Sequence, residues 1–187
     1  MVATQEGSIL TQREPGSEGD APMFELKPLS KEAIPAALEK AQQYRRLNEP
    51  AEAESICSDI LKTDPENQQA LITLLLALSD RFTKGYGVSD SEAKQILARL
   101  KGEYERAYYA GILAERRAKA RLTQGTPGST FWAYDLFREA MMWFEKAEGS
   151  RPPGNDDALL RWNTCARLIS RNKLVPREEE KIEPPLE

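Results

Sequence analysis

The chain has 187 residues, of which 40% are apolar and 30% charged, with a formal net charge of −4 and no histidine. This composition is typical of a soluble globular protein large enough for one domain with its own core. The lack of histidine excludes Ser–His and Cys–His nucleophile pairs and histidine metal sites. No apolar run approaches the roughly 20 residues that span a bilayer, so we expect no membrane partner.

The two ends of the chain carry most of its negative charge. Residues 1–29 hold two basic and five acidic side chains among Gly, Ser, Pro and Gln, which predicts a disordered N-terminal segment. Within it, Met23, Phe24 and Leu26 are apolar side chains with which the segment would dock on the domain as an extended strap. Residues 173–187 hold three basic and five acidic side chains and are predicted to form a disordered acidic C-terminal tail.

Residues 30–172 show helical spacing of apolar side chains throughout, and no segment alternates as a strand requires. Ser30 is a predicted N-cap, Pro50 suits the start of the second helix, and Gly102 is a predicted helix terminator. The third helix contains the run LITLLLAL and is predicted to be central. The pattern predicts seven helices, over about 31–47, 51–63, 66–82, 90–101, 103–123, 130–149 and 155–171.

Small residues, aromatic residues and prolines recur along these helices in a regular order. Ala41 precedes Tyr44 by three residues in the first helix, and the second helix and the following turn supply Ala53, Cys57 and Pro65. The sixth helix and the turn after it supply a second set, Ala140, Phe144, Ala147 and Pro152. The fourth helix supplies a weaker third set, Ala93 and Leu97. With these residues the chain resembles the tetratricopeptide repeat (TPR) family, whose unit is a helix pair closed by proline.

The resemblance implies an all-α fold, a right-handed TPR-like solenoid of about three helical hairpins plus a C-terminal capping helix, over residues 30–172. The chain departs from the family's spacing, because 40 residues separate Ala53 from Ala93 and 47 separate Ala93 from Ala140, where the family has about 34. Cys57 also takes the place of an aromatic residue. The fifth helix can be registered on Ala107 and Gly111, or one turn later on Gly111 and Glu115.

By position, the resemblance implies a concave groove lined by the first helix of each pair, in which another protein or peptide binds. The function expected from it is a non-catalytic interaction module, an adaptor or scaffold. Asn163 and Arg167 either extend this groove or, as we favour, turn a polar capping face outward. The predicted groove residues are Gln42, Arg45, Arg46, Ile72, Leu76, Asp80, Tyr108, Ile112, Arg116, Lys119, Asn163 and Arg167.

Residues 94–122 hold eight basic and three acidic side chains, a local excess that has two interpretations. Arginine clusters favour carboxylates, so an acidic peptide is a reasonable ligand. Pairing along the helix, such as Glu115 with Lys119, is the simpler interpretation. Nucleic-acid binding through this basic face is a further alternative, which the overall acidity and the lack of interleaved exposed aromatic residues disfavour.

The remaining alternatives are self-association and catalysis. The last helix or the N-terminal strap could dock on a second copy of the chain. A site made only of carboxylates, around Glu139 and Glu145, is the one catalytic arrangement left open, and we predict no enzyme, cofactor or metal.

Cys57 and Cys165 lie on separate predicted helices and are expected to be buried free thiols, which suits a cytoplasmic protein without a secretory signal.

Overall fold

The computed structural model describes residues 24–82 and 90–177, and in this part of the chain every regular element is helical. The all-α prediction is therefore confirmed. A short 3₁₀ turn, Lys31–Ala33, leads into the first of seven α-helices. Their bounds are α1 Ile34–Arg46, α2 Pro50–Thr63, α3 Gln68–Asp80, α4 Asp90–Ala98, α5 Glu103–Gln124, α6 Ser129–Glu148 and α7 Asp157–Arg171.

Local residue chemistry explains where these helices begin and end. Pro50 occupies the first turn of α2, where its missing N–H costs no hydrogen bond. The Asn67 side chain accepts a hydrogen bond from the Ala70 backbone N–H at 3.0 Å and caps α3. Gly125 ends α5 with a φ of +61°, the left-handed conformation that favours glycine.

Three sequence predictions about helix ends were wrong in detail. The Ser30 side chain makes no capping hydrogen bond, and residues after it form the 3₁₀ turn before α1 begins. The fourth helix ends at Ala98, because the Arg99 and Leu100 N–H groups bond to carbonyls three residues back, which tightens the last turn. Gly102 consequently does not terminate α4; it has a φ of −73° and is the N-cap of α5.

Each helix packs on its neighbours in the chain, and alternate helices also meet. α1 contacts α2, α2 contacts α3, α5 contacts α6, and α6 contacts α7. In addition α1 contacts α3, and α3 contacts α5. α3 therefore touches α1, α2, α4 and α5, which confirms its predicted central place and accounts for its run of buried leucines.

The core consists of two clusters that meet between α3 and α5. The first cluster lies among α1–α4 and includes Leu71, Leu75, Leu78 and Cys57, together with Leu113 from α5. The second lies among α5–α7 and is built around Phe137 and Phe144, both fully buried. Tyr109 packs against both clusters, so it belongs to the seam between the two halves.

The aromatic residues of the C-terminal half divide between core and surface. Their helical spacing predicts that all of them are core residues. Phe137 and Phe144 are in the core, and Trp143 and Trp162 are half-buried. Trp132 is 53% exposed, so its assignment to the core was wrong. It lies in the first turn of α6, and the Arg177 guanidinium covers its ring at 5.5 Å from the centroid.

The described part of the N-terminal segment does not bury its apolar side chains. Phe24 is 75% exposed and Leu26 is 74% exposed, while the Thr63 hydroxyl donates a hydrogen bond to the Leu29 carbonyl at 3.0 Å. The disorder predicted for 1–29 and 173–187 concerns segments that lie mostly outside the described residues. The sequence KGYGVS predicts a loop at 84–89, which also lies outside them. Among the helices described, none is long and apolar enough to cross a membrane.

Candidate functional site

Side chains from the odd-numbered helices α1, α3, α5 and α7 come together on one surface through a connected set of charges. Asp80, in the last turn of α3, lies between two arginines. Arg45 of α1 donates from Nε to one Asp80 carboxylate oxygen at 2.9 Å, and Arg116 of α5 donates to the other at 2.7 Å. The Asp80 carboxylate therefore links three helices, α1, α3 and α5, although its two partners are 35 and 36 residues away in the sequence.

Arg116 is held from several directions. Its guanidinium also donates to the Leu76 carbonyl at 2.8 Å and to the Ser79 hydroxyl. Burial lowers the pKa of Arg116, and the nearby positive charges of Arg45 and Arg161 act in the same direction, against the opposing effect of Asp80. An arginine in this setting stays charged, and its side chain is largely committed to the fold.

A second carboxylate continues the same surface toward the end of the chain. Glu115 is 1% exposed, and its Oε1 atom accepts from Lys119 one turn later on α5 and from Arg161 of α7 at 3.3 Å. Burial by itself would lower the pKa of the Arg161 guanidinium. The negative charge of Glu115 and a hydrogen bond to Tyr108 have the larger combined effect, so this pKa is raised. Within the described residues, the Glu115 Oε2 atom is buried with no hydrogen-bond partner.

We name this set the charge ladder, because its members connect successive odd-numbered helices. It holds four cations and two anions, so its net charge is positive. About two fifths of the Lys119 and Arg161 side chains is exposed, against about a fifth to a quarter of Arg45, Asp80 and Arg116. Its residues are Arg45, Asp80, Glu115, Arg116, Lys119 and Arg161.

The apolar residues predicted for the groove are half-buried or buried. Ile72 and Leu76 are half-buried and pack against the first and second core clusters respectively. Tyr108 is half-buried and stacks on Tyr104 with ring centroids 5.6 Å apart. Ile112 is only 3% exposed and belongs to the second core cluster, so its expected role as an exposed groove residue was wrong.

The other predicted site residues lie at the margins. Gln42 and Asn163 are half-buried, whereas Arg46 and Arg167 are exposed. Arg161 was missed by the sequence analysis, although a signal for it exists. It lies three residues after Ala158 and four before Cys165, both fully buried, so it shares their face of α7 and its charge needs a partner.

Most of the basic side chains of 94–122 are engaged within the fold. Beyond Arg116 and Lys119, Arg99 donates to the Pro65 carbonyl, and Lys101 pairs with Glu66 at 3.3 Å. Arg106 donates to the Leu100 and Lys101 carbonyls between α4 and α5, and Arg117 lies over the Phe82 ring. The pairing of Glu115 with Lys119, the simpler interpretation of the basic excess, is present in the structure.

Among the described residues, the carboxylates and thiols considered for catalysis lack the environment of a reactive group. Glu139 and Glu145 are both exposed, and Glu145 accepts a hydrogen bond from the Trp162 indole at 2.8 Å. Burial raises the pKa of the Cys57 thiol to about 12, and burial with the charge of Glu115 raises that of Cys165 to about 12. Both cysteines are free, and at neutral pH their protonated thiols are poor nucleophiles.

Comparison with known proteins gives no relative from which a function could be transferred. No family model matches the chain. Searches of curated proteins and of solved structures likewise give no match.

Proposed function

We propose that this chain is a non-catalytic interaction module that binds an acidic peptide or protein segment along the surface of α1, α3, α5 and α7. The charge ladder is the observation that carries the proposal. It crosses all four of these helices, has a net positive charge, and leaves Lys119 and Arg161 about two fifths exposed. Carboxylates of a partner would meet cations already held in place by the fold, which reduces the entropy lost on binding.

The helix packing supports a TPR-like arrangement of about three hairpins closed by α7, with the right-handed superhelix that the resemblance implies. In such stacks the first helix of each pair contacts the first helix of the next pair. The same contacts occur here between α1 and α3 and between α3 and α5. Small residues occupy the positions of close helix approach that the resemblance names, and Ala41, Ala53, Ala93 and Ala140 are fully buried. Gly111, common to both registers of the fifth helix, packs directly against Phe144.

A cytoplasmic location fits this proposal, because the two cysteines are free and lie in separate core clusters. Nucleic-acid binding has less support than peptide binding. A phosphate backbone needs many free cations, and most of those in 94–122 already have partners within the fold.

The test is selection of binding peptides from a random displayed library, followed by affinity measurement on variants. We expect the selected peptides to be rich in Asp and Glu. The variant Arg46→Gln/Lys119→Gln should weaken binding by about tenfold or more, because it removes two cations of the predicted groove. It leaves Arg161 paired with Glu115, so the folded state is retained, which circular dichroism checks.

The matched control is Lys94→Gln/Lys146→Gln, which removes the same charge from exposed residues of α4 and α6. Binding should be unchanged in this control. Selection of no peptide at all, or equal weakening by both double variants, would contradict a site on the odd-numbered helices.

A further inference from the structure

A cavity of about 330 Å³ lies between α4, α5 and α6, on the opposite face of α5 from the charge ladder. On α5 it is lined by Glu103, Arg106, Ala107 and Ala110, which share one helical face at spacings of three, four and seven residues. At 100° per residue, that face points about half a turn away from Glu115 and Lys119. The cavity is therefore separate from the proposed peptide surface.

The wall of this cavity is apolar. Its apolar lining consists of Leu97 and Ala98 from α4, Ala107 and Ala110 from α5, and the half-buried Trp143 indole from α6. The volume lies at the lower end of the range of about 300–1,000 Å³ found for small-molecule sites. An aliphatic or aromatic group of moderate size would gain by leaving water there.

The rim of the cavity is positively charged. Each of the three helices contributes one cation, Lys94 from α4, Arg106 from α5 and Lys146 from α6, and Glu103 is the acidic residue among the described lining side chains. The Arg106 guanidinium is held by hydrogen bonds of 2.8 Å to the Leu100 and Lys101 carbonyls. The Lys146 ammonium lies 5.3 Å from the centre of the Trp143 ring.

We propose that this cavity binds a small amphipathic anion, with its apolar body against Trp143 and its carboxylate or sulfonate at Lys94, Arg106 and Lys146. The apolar wall selects an apolar body, and three cations against one carboxylate select a negative head group. A cation with the same apolar body would face repulsion at the rim, and a neutral one would gain no attraction from the rim cations.

The experiment is isothermal titration of the full chain with decanoate, kept below its micelle concentration, with decyltrimethylammonium and decanol as matched probes. We expect one decanoate per chain, with the cationic and neutral probes at least about tenfold weaker. Lys94→Gln/Lys146→Gln should weaken decanoate binding by about tenfold or more, while Arg46→Gln/Lys119→Gln leaves it unchanged. Both variants lose two positive charges at exposed or partly exposed positions, so each is the control for the other.

The variant Ala98→Trp tests the same site without changing its charge. It adds a large side chain at an exposed position at the end of α4, which should block the cavity. Loss of decanoate binding in Ala98→Trp supports the cavity as the site. The proposal is overturned if decanoate does not bind, if it binds equally to all variants, or if decyltrimethylammonium binds as tightly. It is also overturned if the Lys94→Gln/Lys146→Gln variant loses only peptide binding, which would assign this face to a polypeptide.

Discussion

At the scale of single residues, Gly111 sets how closely α5 approaches α6. A Cβ atom built on Gly111 would lie 2.5 Å from Cε1 of the Phe144 ring, which is fully buried and cannot move aside. We predict that Gly111→Ala lowers the free energy of unfolding by about 1–3 kcal/mol through overpacking. This loss would occur even though alanine favours a helix interior over glycine by about 1 kcal/mol. Urea unfolding followed by circular dichroism measures it.

Gly149 provides the matched control for this substitution. It has a right-handed helical backbone, with a φ of −63°, and the nearest atom to an added Cβ is the Lys146 carbonyl oxygen at 3.4 Å. Gly149→Ala should therefore change the free energy of unfolding by less than about 0.5 kcal/mol or increase it slightly. Equal effects of the two substitutions would show that close packing on Phe144 is not what Gly111 provides.

At the scale of helices, Asp80 connects α1, α3 and α5 through Arg45 and Arg116. Removing it leaves Arg116 partly buried beside other positive charges and without its ion-pair partner. We predict that Asp80→Ala lowers the free energy of unfolding by about 1–3 kcal/mol, less than for a fully buried pair because the side chains are about a fifth exposed. A double-mutant cycle of Asp80→Ala with Arg45→Ala would isolate the link between α1 and α3.

The control is Glu66→Ala, which breaks an ion pair with Lys101 whose two side chains are both more than half exposed. Water screens such a pair, so the loss should stay below about 0.5 kcal/mol. If Asp80→Ala costs no more than Glu66→Ala, the charge ladder does not stabilise the packing of alternate helices.

At the scale of the whole molecule, the two cysteines report on the two halves separately. Cys57 lies in the first core cluster and Cys165 in the second, and both are fully buried. Because Leu113, Tyr109 and the charge ladder join the halves, we predict that both thiols become reactive over the same range of urea concentration. Reaction of the single variants Cys57→Ala and Cys165→Ala with a thiol reagent measures this, and two separate midpoints would contradict it.

We predict that the two buried thiols make the free energy of unfolding fall with pH in the alkaline range. Burial raises their pKa from 9.0 to about 12, so the folded chain keeps protons that the unfolded chain releases above pH 9. Stability is therefore unaffected by these groups below pH 9 and falls as the pH rises toward 12. The double variant Cys57→Ala/Cys165→Ala should lose stability less steeply over this range, and an identical slope would argue against the thiols as its source.

Much of the fold was predictable from local chemistry, since the elements depend on short-range patterns. The periodic apolar residues and Pro50 indicated seven helices and their approximate ends. The small residues that carry the resemblance to the TPR family, including Ala41, Ala53 and Ala140, are buried. The errors fell at helix ends and at Trp132, where the outcome depends on which neighbours are in place rather than on periodicity.

The helical class, the lack of histidine chemistry and the central position of α3 follow from composition and periodicity, because these act within each segment. Which charged side chains meet depends instead on how the helices pack. Asp80 joins Arg45 and Arg116, and Glu115 joins Arg161, across separations that no spacing rule predicts. The cavity between α4, α5 and α6 likewise exists only in the packed molecule, since three distant segments must come together to enclose its apolar wall and place a cation each at its rim.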